Sequence, residues 1–80
     1  MTLGEAVTRR INYYCNERKI TLNKLCTMSG IVQSTVNNII SGKTSNPTLE
    51  TIYNLCIGLQ ISISEFFDCG LFTEANIETR

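Results

Sequence analysis

The chain has 80 residues, of which 42% are hydrophobic, and its seven basic and seven acidic residues give a net charge of zero. This length predicts a single domain with one modest core, and the composition excludes a disordered or fibrous protein. The sequence shows no charged-then-apolar leader and no apolar run near the ~20 residues of a membrane span, so we expect a cytoplasmic protein with no membrane partner.

The first predicted helix begins at Thr2, because Thr2 and Glu5 have the spacing of a capping box. Apolar residues at steps of three and four predict its buried stripe, which consists of Leu3, Val7, Ile11 and Tyr14. Arg9 and Arg10 lie off that stripe. We expect them on the surface, with contact to phosphate as the alternative.

The second helix is predicted to begin at Thr21 and to end at Gly30, since glycine adopts the left-handed conformation of a helix end without steric penalty. The third runs from Val32 or Gln33 to Ser41. Its core-facing residues are predicted from their spacing to be Val36, Ile39 and Ile40. Its opposite face carries amides and hydroxyls: Gln33, Ser34, Asn37, Asn38 and Ser41. Val32 has no side-chain oxygen for a cap, so this helix should depend on packing.

The fourth helix is predicted to begin after Thr48, and the fifth follows a second capping box formed by Ser62 and Glu65. Residues 1–68 are therefore expected to form one compact, all-α domain with five helices. Residues 69–80 form a C-terminal tail, which is either dimer-forming or disordered. Its apolar residues favour the dimer, since an exposed apolar cluster commonly marks an interface; they are Leu71, Phe72 and Ile77.

The sequence lacks the residue patterns that metal sites and catalytic sites usually require. The chain has no histidine and no C-x-x-C pair, so its four cysteines are expected to be buried thiols rather than zinc ligands or a disulfide. It also has no Gly-rich phosphate loop and no base placed beside a nucleophile. We therefore expect no enzyme activity, no metal and no cofactor.

Residues 22–40 have the pattern of a helix-turn-helix: two short helices, a turn containing glycine, and a polar outer face on the second helix. Amide side chains on such a face suit a bidentate contact with adenine. The charge distribution agrees with a nucleic-acid partner. Residues 1–48 hold six basic and two acidic side chains, a net charge of +4, whereas residues 49–80 have a net charge of −4.

The same residues resemble a known family. Residues 30–43 read GIVQSTVNNIISGK, and they are followed by Pro47, Leu49, Leu55 and the segment LQIS at 59–62. Together these features are similar to the Cro/repressor-type (XRE-like) helix-turn-helix domain, over about residues 3–68. The resemblance implies a five-helix bundle and a dimeric transcription regulator of a bacterium or phage.

The resemblance also implies roles for individual residues. The positions that contact bases are Gln33, Ser34 and Asn38. The positions of flanking or phosphate contacts are Thr21, Asn23, Thr35, Asn37, Ser41, Lys43 and Thr44. Leu22 stands where many members carry a phosphate-binding glutamine, and Cys15 and Ile40 replace an arginine–glutamate pair of many members. Replacing both partners of a buried ion pair by apolar residues is energetically reasonable.

The leading interpretation is a sequence-specific regulator, in particular a repressor, which binds double-stranded DNA as a homodimer and reads the major groove with the third helix. The alternative is an antitoxin-like or adaptor protein-interaction module on the same fold, with weak or no DNA binding. Zero net charge and Leu22 favour the alternative, while Lys43 and the amide face oppose it.

Overall fold

Five α-helices follow one another along the residues that the computed structural model describes, which are 1–41 and 47–77. Their bounds are Leu3–Arg18 (α1), Leu22–Ser29 (α2), Gln33–Ile40 (α3), Leu49–Leu59 (α4) and Ile63–Phe67 (α5), and a 3-10 turn (η1) spans Gly70–Phe72. These residues contain no strand, so the predicted all-α bundle of five helices is confirmed.

Hydroxyl side chains begin four of the five helices, as predicted. The N-caps are Thr2, Thr21, Thr48 and Ser62, and each accepts a hydrogen bond from the amide three residues later. At Thr2 the capping box closes in both directions, since the Thr2 amide donates to Oε1 of Glu5 at 2.7 Å. Hydrogen bonds from Thr2 to the Glu5 carboxylate, first from the backbone amide and then from the side chain, hold the pKa of Glu5 below its ordinary value.

The core draws buried apolar side chains from every helix: Val7, Ile11, Tyr14, Cys15, Leu25, Cys26, Val36, Ile39, Ile52, Leu55, Cys56, Leu59 and Phe66. The predicted stripe of α1 is confirmed at Val7, Ile11 and Tyr14 but was wrong at Leu3, which is 48% exposed. Leu3 is the first residue of α1. A helical side chain leans towards the N-terminus, so this one reaches past the end of the bundle.

The cysteines are free thiols. Cys15, Cys26 and Cys56 are buried, while Cys69 is half-buried. Burial raises the pKa of the three buried thiols, because a thiolate loses its hydration in the core. These three cysteines therefore pack as small hydrophobic side chains, as their spacing predicted.

Arg10 is buried, so its expected place on the surface was wrong: the residue is only 9% exposed. Its Nε donates to the carbonyl oxygen of Phe66 at 2.7 Å, and Nη2 donates to that of Glu65 at 2.8 Å. Its guanidinium also lies over the rings of Tyr13 and Tyr14, at 5.0 and 4.6 Å from their centroids. The last carbonyl groups of a helix lack donors within the helix. In α5, Arg10 of α1 supplies donors to two of these carbonyl groups.

The tail folds back on the bundle as far as it is described. Phe72 of η1 packs against Phe66 and Phe67, with ring centroids 6.2 and 4.8 Å apart. The N-terminal ammonium of Met1 donates to the carbonyl oxygen of Asn76 at 3.0 Å. The two ends of the described chain therefore lie close together.

Helices α2 and α4 approach each other closely at Ser29 and Gly58. A Cβ atom placed on Gly58 would overlap Oγ of Ser29 and lie 3.0 Å from its Cα and N atoms. Oγ of Ser29 is buried and has no hydrogen-bond partner among the described residues. The absence of a side chain at Gly58 thus sets the distance between the two helices.

Replacing Arg10 by Met is expected to lower the free energy of unfolding by about 2–3 kcal/mol, because the α5 carbonyls lose a charged donor while they stay in place. Urea unfolding followed by circular dichroism measures the change. Arg9→Met is the matched control: Arg9 is exposed on the same helix, and its loss should change stability by no more than about 0.5 kcal/mol. Equal losses in the two variants would contradict the role given to Arg10.

Replacing Gly58 by Ala is expected to destabilise the fold by about 1–2 kcal/mol, since the overlap with α2 outweighs the gain of roughly 1 kcal/mol in helix propensity. Ser29→Ala alone should be neutral or slightly stabilising, because the hydroxyl that it removes has no partner. Ser29→Ala combined with Gly58→Ala should recover part of the loss in urea unfolding. A Gly58→Ala protein as stable as the wild type would show that the helices separate freely.

Candidate nucleic-acid interface

A tight turn joins α2 to α3. Gly30 has φ +67° and ψ +26°, the left-handed conformation predicted for it. The amide of Ile31 then donates to the carbonyl oxygen of Cys26 at 3.1 Å, and the Ile31 side chain packs against the core. These contacts fix the angle at which the chain enters α3, so residues 22–40 form the predicted helix-turn-helix.

Helix α3 has two distinct faces. Val36 and Ile39 are buried, and Ile40 packs against the core beside them, as predicted. The outer face is exposed and consists of Gln33, Ser34, Asn37, Asn38 and Ser41. The structure therefore brings together the three predicted base-contacting residues, Gln33, Ser34 and Asn38, on one solvent-facing surface.

The other predicted contact residues differ in how available they are. Asn23 and Asn37 are exposed, while Thr35 is half-buried. Oγ1 of Thr21 accepts the Lys24 amide at 3.1 Å, which leaves its O–H free to donate. Oγ of Ser41 already donates to the carbonyl oxygen of Asn38 at 3.3 Å, so a phosphate contact requires it to rotate. Lys43 and Thr44 lie outside the described residues.

Val32 lies on the surface next to the predicted base-contacting residues, although its sequence position indicated only a poor N-cap. It precedes α3 without a side-chain hydrogen bond to the helix, as predicted, and the residue is 69% exposed. An apolar β-branched side chain beside Gln33 can contact the methyl group of thymine. The signal in the sequence was a valine, next to Ile31, that the core spacing of α3 does not include.

Contacts from α1 hold the last turn of α3. Oγ1 of Thr8 donates to the carbonyl oxygen of Ile39 at 3.3 Å, and this bond is partly buried. Cys15 and Leu22 occupy apolar surroundings, since Cys15 is in the core and Leu22 packs against it. The positions that would carry the arginine–glutamate pair and the phosphate-binding glutamine thus contribute to packing.

The structure reduces the number of cations that can face a phosphate. Arg10 is enclosed, and Nη1 of Arg18 donates to the carbonyl oxygen of Leu59 at 2.6 Å. The exposed basic residues of the first half are otherwise Arg9, Lys19 and Lys24 among the residues described. The charge of +4 counted from the sequence therefore overstates the basic surface available to DNA.

Residues 1–41 and 47–77 contain no group of three or more His, Cys, Asp or Glu side chains that could hold a metal ion. No helix in that part of the chain is both long enough and apolar enough to cross a membrane.

Comparison with known proteins identifies the fold. A family model described as the Cro/C1-type HTH DNA-binding domain matches residues 10–70. The chain is also similar to the crystal structure of the prophage Lp1 protein 11, with 35% sequence identity and a TM-score of 0.83 over 92% of this chain and 97% of that one. No curated protein matches. Because the family model covers most of the chain, this protein belongs to the Cro/C1-type helix-turn-helix DNA-binding domain family.

Proposed function

We propose that the protein is a transcriptional repressor that binds specific sites in double-stranded DNA as a homodimer, with α3 in the major groove. The observation that carries the proposal is the outer face of α3, where exposed amides and a hydroxyl are backed by buried Val36 and Ile39. A rigid apolar back lets a short helix present side chains at fixed positions to base edges. Occupying an operator is enough to block transcription, so the role needs no catalysis and no cofactor.

Gln33 and Asn38 are the proposed readers of bases. Each amide group has a donor and an acceptor, which match N7 and N6 of adenine. Ser34 is short and allows close approach to a base edge. Val32 adds an apolar contact for a thymine methyl group beside the base that Gln33 reads.

Flanking or phosphate contacts are proposed for seven further residues: Thr21, Asn23, Thr35, Asn37, Ser41, Lys43 and Thr44. Most of these are neutral donors, which fix the register on the duplex but release no counterions. We therefore expect modest affinity per subunit, and a homodimer that reads two half-sites about 10 bp apart, or a multiple of that distance. A regulator of this kind acts in the cytoplasm, on the DNA of a bacterium or phage.

One set of observations favours an antitoxin-like or adaptor module with weak or no DNA binding. Arg10 and Arg18 are engaged with carbonyl oxygens of the bundle, and Leu22 packs against the core. The net charge is zero. Against this, nothing in such a role explains why the outer face of α3 holds adjacent exposed amides without apolar anchors.

DNA titration separates the two roles. The protein should bind mixed-sequence duplex DNA at low salt and lose affinity as salt rises, with a slope that corresponds to only a few phosphate contacts. Selection from a random duplex library should then yield one preferred sequence with two related half-sites. Absence of binding at low salt would favour the protein-interaction module and refute the proposed repressor.

Replacing Gln33 by Ala should cost roughly 1–3 kcal/mol of binding free energy at one base position and relax the preference there, because one bidentate contact is lost. Competition with duplexes that carry each base at that position measures the effect. Asn12→Ala is the matched control, since Asn12 is an exposed amide on α1 and its removal should leave the preference unchanged. A uniform loss over all base variants would assign Gln33 to the phosphates instead.

A further inference from the structure

Helix α4 carries an apolar stripe on its outer side. Leu49, Tyr53 and Ile57 are 66%, 51% and 53% exposed. They follow one another at steps of four residues, so they form one row along the helix. We call this row the α4 stripe. The opposite side of α4 is already buried in the core through Ile52, Leu55, Cys56 and Leu59.

Single exposed apolar residues are common on protein surfaces, but an aligned row of three large ones is not. Together they expose on the order of 300 Å² of side-chain surface, which is within the range of functional patches on monomers. The aromatic side chain of the tail, by contrast, is used within the subunit: Phe72 is half-buried against Phe66 and Phe67. The α4 stripe is therefore the better candidate for an interface.

We propose that a second copy of this chain covers the α4 stripe, with a two-fold axis passing beside Tyr53. This inference rests on the homodimer of the proposed function and names its surface. The order of residues suits such an axis, because Leu49 and Ile57 lie four residues on either side of Tyr53. In an antiparallel pair each Leu49 then faces Ile57 of the partner subunit, and the two tyrosines meet at the centre.

The helix geometry supports this arrangement. A row at steps of four residues is the ridge that packs into the matching groove of another helix at a crossing angle near −50°. From Leu49 to Ile57 the helix advances by eight residues, which correspond to roughly 12 Å along its axis. This length matches the contact that two crossed helices can make around one central residue.

The charge of α4 also suits self-association. Its only charged residue is Glu50. In the two-fold pair the two copies of Glu50 lie roughly 9 Å apart along the helix axis, about one Debye length in physiological salt. A surface with so little charge meets its own copy without strong repulsion, whereas it offers no complementary charge to an acidic or basic partner.

The interface is small. Two stripes together supply on the order of 600 Å² of apolar surface, which is below the ~1,000 Å² expected of a stable specific interface and in the range of weak ones. We therefore expect a weak dimer in rapid exchange with the monomer, populated at tens of micromolar protein and favoured when both subunits are bound to DNA.

Charge variants of Tyr53 test whether this residue faces its own copy. Sedimentation equilibrium should show the wild type associating into a dimer, and Tyr53→Glu and Tyr53→Lys should each weaken the association at least tenfold, since like charges meet at the axis. An equimolar mixture of the two variants should recover the dimer mass. Recovery in the mixture requires that position 53 of one subunit lies near position 53 of the other.

Leu3→Glu is the control, because Leu3 is an exposed aliphatic residue outside the α4 stripe and an acidic residue suits the first turn of a helix. This variant should associate like the wild type, and thermal unfolding should show all variants folded. A monomeric wild type, or dimers that survive both charge changes at Tyr53, would overturn the proposal. Sedimentation uses no DNA, so its result is independent of whether the DNA titration succeeds.

Discussion

The rest of this structure supports a helix that could not stand alone. Helix α3 has eight residues and no side-chain cap at its N-terminus. Isolated helices shorter than ~12–15 residues are marginal in water, and α3 also contains three β-branched residues in its core-facing row. Burial of Val36 and Ile39 therefore supplies the stability that the intrinsic helix propensity of α3 does not provide. The position of the outer amides is consequently set by the packing behind them.

That packing depends on contacts between distant parts of the chain. Arg10 ties α1 to the last carbonyls of α5, and Thr8, two residues earlier, ties the same helix to α3. On the other side, the close approach of Ser29 and Gly58 holds α2 against α4. The use of Arg10 as an internal donor has a consequence for binding. A cation that serves α5 is withdrawn from the surface, so stability of the bundle is gained at the expense of electrostatic attraction to DNA.

The sequence predicted the features that depend on neighbouring residues. Thr2 and Thr21 are recognisable as N-caps because their hydrogen-bond partners lie three positions away. Gly30 is recognisable as a helix end because the left-handed conformation depends on the residue itself. The two faces of α3 follow from helical spacing alone. Arg10 could not be placed in this way, since its carbonyl partners lie 55 and 56 residues further along the chain. Gly58 likewise has no local signal, because its significance lies in the contact with Ser29 on another helix.

Few cations are exposed in the first half of the chain as far as it is described, and this makes the α4 stripe more important to the proposed function. In the proposed complex most donors around α3 are neutral, so one subunit would gain little affinity from counterion release and would depend more on a few base contacts. Two linked subunits raise the effective concentration of the second reading surface once the first has bound. In the proposed complex a weak apolar interface would be sufficient for that purpose, because the DNA would also hold the two copies together. The α4 stripe and the polar face of α3 would then act together to compensate for the weak electrostatic attraction of one subunit to DNA.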